Sequence, residues 1–158
     1  MPTRGHLLVD GYNLAHAWLE MRARLGRRLD TTAALLVDRL LPVHDAAEHA
    51  LTVVFDGKGA QPTIEHPDGR ETLTLVYAAG GQTADGLIEQ LLARAPSTEG
   101  WKVATNDLAL GQTAHSYGAD VLSAEQTAAW LDQLGRATTD WISRHARRNE
   151  RQWRHPRP

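Results

Sequence analysis

Residues 51–57 read LTVVFDG, an apolar and β-branched run that ends at an aspartate and a glycine. Its apolar residues follow one another without polar alternation, which is typical of a strand buried on both faces of a parallel sheet. Similar short apolar runs lie before and after it. The five predicted strands are His6–Asp10, Leu51–Asp56, Thr72–Tyr77, Trp101–Thr105 and Asp120–Leu122.

Helical patterns separate most of these strands. The predicted helices are Thr31–His49 with a kink at Pro42, Thr83–Ala95, Leu108–Tyr117, and Ala124–Leu134, whose capping box is Ser123 and Gln126 and whose stop is Gly135. Residues 61–71 are expected to form an irregular excursion or a short hairpin. Alternating strands and helices predict a three-layer α/β domain with right-handed crossovers.

Length and composition limit the class of protein. A chain of 158 residues fits one domain, and the absence of cysteine excludes disulfides and thiolate zinc sites. The run Leu7–Val9 is too short for the apolar core of a signal peptide, and no later stretch approaches membrane-spanning length. We therefore expect a soluble cytoplasmic protein that does not engage a membrane.

The charge is unevenly distributed along the chain. Residues 136–158 contain seven arginines and two acidic residues, a net +5, so the remainder carries −7 of the total of −2. We expect one folded domain over residues 1–135 and a basic tail over 136–158 that is partly helical and then disordered. The tail's arginines and tryptophans suit RNA, although they could also dock on the acidic body or on another subunit.

Four aspartates fall at one edge of the predicted sheet. Asp10 and Asp56 end the first two strands, Asp107 follows the fourth, and Asp85 lies in the first turn of the helix after the third. Any one of them could be an ordinary cap or turn residue. Ligands of an open parallel sheet bind beyond the carboxyl ends of its strands, so together these residues predict a shared site.

Clustered carboxylates repel one another and raise each other's pKa, a cost that a bound cation removes. Oxygen ligands without histidine or cysteine favour Mg²⁺ or Mn²⁺, ions that activate water and stabilise charge on phosphate. Asn13 could hold a carboxylate or a phosphate, or could cap a helix beginning at Leu14. The Thr105 hydroxyl could orient Asp107, a water or a phosphate oxygen.

Four motifs carry a resemblance to a known family. LLVDGYN (7–13), VVFDG (53–57), QTADGLI (82–88) and VATNDLA (103–109) resemble the NYN-domain ribonucleases of the YacP-like branch, within the PIN-like nuclease superfamily. The resemblance covers residues 5 to 134, and the basic tail falls outside it. It implies a mainly parallel five-stranded sheet of order 3-2-1-4-5 and a metal-dependent endoribonuclease. For this branch it also implies cleavage of messenger RNA in association with ribosomes.

The resemblance assigns roles to individual residues. Asp10, Asp85 and Asp107 match the acidic metal positions, Asn13 matches the asparagine of DGYN, Asp56 matches the aspartate after the second strand, and Thr105 matches the hydroxyl residue before the last aspartate. We accordingly predict Asp10, Asp85 and Asp107 as the metal core and Asp56 as a flanking residue.

Basic residues near the predicted site are candidates for contact with RNA backbone phosphates. They are Lys58, which follows the second strand, and the cluster Arg22, Arg24, Arg27 and Arg28. Each could equally be a solvated surface residue.

Other functions fit the residues less well. A catalytically silent module that binds RNA or ribosomes remains open as the alternative. A phosphotransferase with an aspartate nucleophile would need a second aspartate where Tyr12 stands, and neither dinucleotide-binding nor P-loop glycine fingerprints follow a strand.

Overall fold

The central sheet has six strands. The computed structural model describes the backbone of residues 3–22, 29–57 and 59–154. Its strands are β1 (Gly5–Asp10), β2 (His49–Phe55), β3 (Thr63–Glu65), β4 (Leu73–Tyr77), β5 (Trp101–Ala104) and β6 (Asp120–Leu122). They lie in the order β3-β4-β2-β1-β5-β6.

Five of these strands are parallel and match the predicted ones. Their spatial order, β4-β2-β1-β5-β6, is the expected 3-2-1-4-5, which confirms the predicted topology. The predicted number of strands is wrong by one, because β3 adds an antiparallel edge strand against β4. It arises from the segment expected to form an irregular excursion or hairpin, and its three residues are all exposed.

Helices cover both faces of the sheet. They are α1 (Gly11–Ala17), α2 (Leu19–Arg22), α3 (Leu29–Asp45), α4 (Ala84–Arg94), α5 (Leu108–Ser116) and α6 (Ala124–Arg154), with a 3₁₀ turn at Pro67–Gly69. The apolar strands supply side chains to two separate cores, since successive residues of a strand point to opposite faces. Leu7 and Phe55 pack with α1, α3 and α6, whereas Leu8 and Val103 pack with α4 and α5.

Three predicted helix limits are wrong. α1 begins at Gly11 rather than Leu14, so Asn13 lies inside the helix and does not cap it. α3 ends at Asp45, four residues before the predicted end at His49, and contains Pro42. α6 continues through Gly135 to Arg154, so the predicted boundary at 135/136 falls within one helix, and residues 155–158 lie outside the described part of the chain.

Within the described residues, none of the helices has both the length and the apolar character needed to cross a membrane.

Candidate active site at the carboxyl edge of the sheet

The four predicted aspartates lie around the carboxyl ends of adjacent strands. Asp10 is the last residue of β1, which stands between β2 and β5 in the sheet. Asp56 directly follows β2, and Asp107 is the N-cap residue of α5, after β5. Asp85 is the second residue of α4, which follows β4. This topology brings together residues up to 97 positions apart, from Asp10 to Asp107.

Asp10 is the buried member of the group. It stands at the N-terminus of α1, but its side chain makes no capping hydrogen bond there. Only 6% of the residue is exposed, and its Oδ2 accepts a hydrogen bond of 3.1 Å from the Thr105 hydroxyl. Burial, and then the charge of Asp85, raise the pKa of Asp10 from 3.8 to about 6, with smaller contributions from Asp56 and Asp107. A simple capping role therefore does not account for this aspartate.

Asp85 and Asp107 interact directly. Partial burial, and then the charges of Asp107 and Asp56, raise the pKa of Asp85, and the proximity of the Asp107 carboxyl group acts in the same direction. Asp107 also caps α5, because its Oδ1 accepts hydrogen bonds from the backbone N–H groups of Ala109 and Leu110 at 2.9 and 3.2 Å. Capping and a role in the site are compatible, because the cap uses only one of the two carboxylate oxygens.

Asp56 fixes the helix that carries Asp85. Its Oδ1 accepts a hydrogen bond of 2.8 Å from the backbone N–H of Ala84, and Thr83 caps the same helix through Gly86. The neighbouring Gly57 has no room for a side chain, since a Cβ there would lie only 1.7 Å from the carbonyl oxygen of Ala78. The end of β2 and the loop before α4 are therefore held together closely beside Asp56.

Thr105 and Asn13 connect the site to the loop between β5 and α5. Thr105 is 3% exposed; its hydroxyl lies 3.1 Å from Asp10 Oδ2 and 3.4 Å from Asn13 Oδ1, and it accepts the Asp107 N–H at 3.0 Å. Because a hydroxyl has one proton, the shorter contact to the carboxylate is the favoured one. Asn13 Oδ1 accepts the Asn106 N–H at 2.7 Å, which leaves the Asn13 amide nitrogen available as a donor.

Asn106 is a structural residue that the sequence alone does not distinguish from a turn former. Its backbone binds Asn13, and its Oδ1 accepts a hydrogen bond of 2.8 Å from the N–H of Ala124, the first residue of α6. One asparagine therefore joins α1, the loop before α5 and the start of α6. No local sequence signal identifies this role, because its partners are 93 and 18 residues away.

The predicted RNA contacts cannot be placed. Lys58, Arg24, Arg27 and Arg28 lie outside the described residues, and for Arg22 only the backbone, at the end of α2, is described. Their roles stay predictions.

The carboxylates fit a hard cation by chemistry, although they are not already arranged around one. Across residues 3–22, 29–57 and 59–154, no three histidine, aspartate or glutamate side chains have the geometry of a ready metal site. The charges that shift the pKa of Asp10 in this part of the chain are all carboxylates, so nothing of opposite sign offsets their repulsion there. An all-oxygen set with uncompensated negative charge is the kind that binds Mg²⁺ or Mn²⁺.

A cavity next to this edge was not anticipated from the sequence. It has a volume of about 540 Å³ and lies between α5, β6 and the start of α6, and Thr105 and Asp107 form part of its wall. Leu108, directly after Asp107, is an apolar residue that is exposed beside the cavity, but this exposure is visible only in the structure, so the sequence carries no signal for the cavity.

A parallel α/β sheet of this order, with aspartates at its carboxyl edge, is consistent with a PIN-like nuclease domain. Comparison with family models makes the assignment specific. The model of the YacP-like NYN domain matches residues 7–156, and the chain belongs to that family, which lies within the PIN-like nuclease superfamily. The match includes all of α6, so the expectation that the resemblance ends near residue 134 is wrong.

Solved structures with this fold include Rae1 (YacP) from Bacillus subtilis. Its W164L mutant is 21% identical, with a TM-score of 0.74 over 90% of this chain and 84% of that chain. Another crystal structure of Rae1 (YacP) gives a TM-score of 0.63 at 21% identity, over 96% of this chain and 95% of that chain. No curated protein sequence matches this chain. At this identity the structural likeness supports the fold.

Proposed function

We propose that the protein is a Mg²⁺- or Mn²⁺-dependent endoribonuclease. The observation that carries the proposal is the buried Asp10 carboxylate, whose pKa is raised by burial and by Asp85, Asp56 and Asp107. Among the described residues, Thr105 is the one side-chain donor to it. Without a bound cation this arrangement only destabilises the folded protein, because a carboxylate is buried among other carboxylates. Membership in a family of PIN-like nucleases supports the choice of a phosphodiester as substrate.

Asp10, Asp85 and Asp107 would hold the ion. When bound, the ion would lower the pKa of an attacking water and place positive charge next to the phosphate oxygens. Asp56 keeps α4, and therefore Asp85, in place through the Ala84 N–H. Thr105 orients Asp10.

The remaining polar groups would position the substrate. The Asn13 amide nitrogen, whose carbonyl oxygen is held by the Asn106 N–H, can donate to a phosphate oxygen. Lys58 and the arginines 22, 24, 27 and 28 are proposed to bind the RNA backbone. By family resemblance, the proposal extends to messenger RNA on ribosomes in the cytoplasm.

The test is cleavage of RNA and of DNA, each with and without Mn²⁺, and of messenger RNA on ribosomes. Wild type is compared with Asp10→Asn and with a matched control, Asp132→Asn, at an exposed position of α6. We expect Mn²⁺-dependent cleavage of RNA by wild type and by the control. Unchanged cleavage by Asp10→Asn would refute the mechanism. Binding to RNA or ribosomes without cleavage under any condition would identify a catalytically silent module instead.

A further inference from the structure

The cavity of about 540 Å³ beside Asp107 is continuous with the acidic site. Thr105 and Asp107 contribute to both, so a group in the cavity lies next to a group bound at the carboxylates. Its volume falls within the range of pockets that bind small molecules, and it is larger than a single buried water requires.

One face of α5 forms a wall of the cavity. Leu108, Gln112 and His115 are spaced i, i+4 and i+7, so they lie along the same side of the helix. Leu108 is 76% exposed, which leaves a flat apolar surface open to solvent at the cavity. Gly111 contributes no side chain, and a Cβ there would lie 3.3 Å from Val121 Cγ1 on β6. The glycine therefore permits the close approach of α5 and β6 that forms the base of the cavity.

The polar groups of the lining suit an uncharged planar ligand. Gln126 Oε1 accepts the Ser123 N–H at 2.9 Å, so the amide nitrogen of Gln126 remains a donor. Gln112 makes no hydrogen bond to other described residues and offers both a donor and an acceptor. The charged residues of the described lining are Asp107 and Asp120, with no lysine or arginine, so a phosphate group would be repelled.

We infer that this cavity binds the base of an unpaired nucleotide next to the scissile phosphate. The inference rests on the proposed function. Leu108 and the His115 ring offer apolar and aromatic surface to a base, and the two glutamine amides offer hydrogen bonds to its edge. A base in a duplex must unstack and unpair before it can enter the cavity, and this costs free energy. The cavity therefore favours single-stranded RNA.

The test uses the single-stranded RNA that the full-length protein cleaves, with one abasic ribose placed in turn at each position around the cleaved bond. For wild type, we expect one position next to that bond at which loss of the base lowers kcat/KM about tenfold, the size of a typical base-stacking contribution. The double variant Gln112→Ala, His115→Ala should cleave intact RNA about tenfold less efficiently, mainly through KM, and should be insensitive to the abasic site. Gln133→Ala, an exposed glutamine of α6, is the control.

Equal sensitivity of wild type and the double variant to every abasic position would overturn the inference while leaving the proposed function intact. Absence of cleavage by wild type contradicts the proposed function, and the cavity is then tested separately by fluorescence anisotropy with the same RNAs. An affinity that depends on one base in wild type but not in the double variant supports the cavity as a base site. An affinity that is the same with and without each base overturns it.

Discussion

Replacing Asp10 by asparagine should stabilise the metal-free protein. The carboxylate is buried, and its pKa in the folded protein is raised from 3.8 to about 6. In the unfolded chain the same group titrates at its ordinary value and therefore loses its proton first. The free energy of unfolding consequently falls as pH rises from about 4 to about 6 and stays low above that range.

The size of this effect follows from the pKa values. A difference of about two units corresponds to about 3 kcal/mol of stability lost above about pH 6. Asparagine is neutral at every pH and can still accept the Thr105 hydrogen bond, and the stronger bond that the charged carboxylate makes is already contained in the pKa of about 6. We therefore expect Asp10→Asn to be about 3 kcal/mol more stable than wild type at about pH 8 and no more stable at about pH 4.

Urea denaturation monitored by tryptophan fluorescence measures this difference across the pH range in the presence of a chelator. Asp132→Asn should follow wild type throughout. Addition of Mn²⁺ should stabilise wild type and not Asp10→Asn, because a ligand that binds only the folded state raises its stability. An Asp10→Asn variant that is less stable than wild type at about pH 8, or a stability difference that does not change with pH, would refute the reasoning.

Three further substitutions, two of them paired with a control variant, have defined outcomes. Asp56→Ala should lower the free energy of unfolding by about 1 kcal/mol through loss of the Ala84 N–H acceptor, whereas Asp56→Asn, which keeps an acceptor, should not, as measured by urea denaturation. Gly57→Ala should destabilise the protein by several kcal/mol, because its Cβ would overlap the Ala78 carbonyl. Gly59→Ala is the control and should be close to neutral, since the nearest contact of its Cβ would be 3.5 Å. Equal melting temperatures of the two variants would contradict the close packing at Gly57. Gly135→Ala should stabilise the protein by up to about 1 kcal/mol, because this position is inside α6 with open space around it; a loss of stability would indicate a helix end there.

The parallel strands and the position of the aspartates could be predicted because each strand is a run of apolar residues that ends in a polar one. β3 could not be predicted as a strand in the same way. Its residues Thr63–Glu65 are exposed on both faces, so no periodicity marks them, and the strand exists because it pairs with β4. Strand formation at a sheet edge depends on the partner as much as on the segment's own sequence.

The length of α6 shows the limit of local stop signals. Glycine at 135 follows an apolar periodic segment and has the position of a C-cap residue, which is why a helix end was predicted there. In the structure the helix continues to Arg154, and the cost of about 1 kcal/mol for an internal glycine is small compared with the interactions of a long helix. The spacing of Trp141, Ile142 and His145 is compatible with a helix, but residues 135–146 are all exposed, so packing on the core does not mark this part of α6.

The division of roles among the four aspartates depends on contacts that local sequence does not reveal. Asp56 and Asp107 each bind backbone N–H groups at the start of a helix, where the helix dipole favours negative charge. Asp10 has no such partner, and Asp85 faces Asp107. The backbone contacts of Asp56 and Asp107 therefore hold the carboxylates of the site close together, at a cost in stability that a bound cation would offset. If the site only bound RNA, nothing would compensate for this loss of stability, because carboxylates repel the phosphates of RNA. A gain in stability and a loss of cleavage in the same Asp10→Asn variant would thus separate a nuclease from a binding module more clearly than either measurement alone.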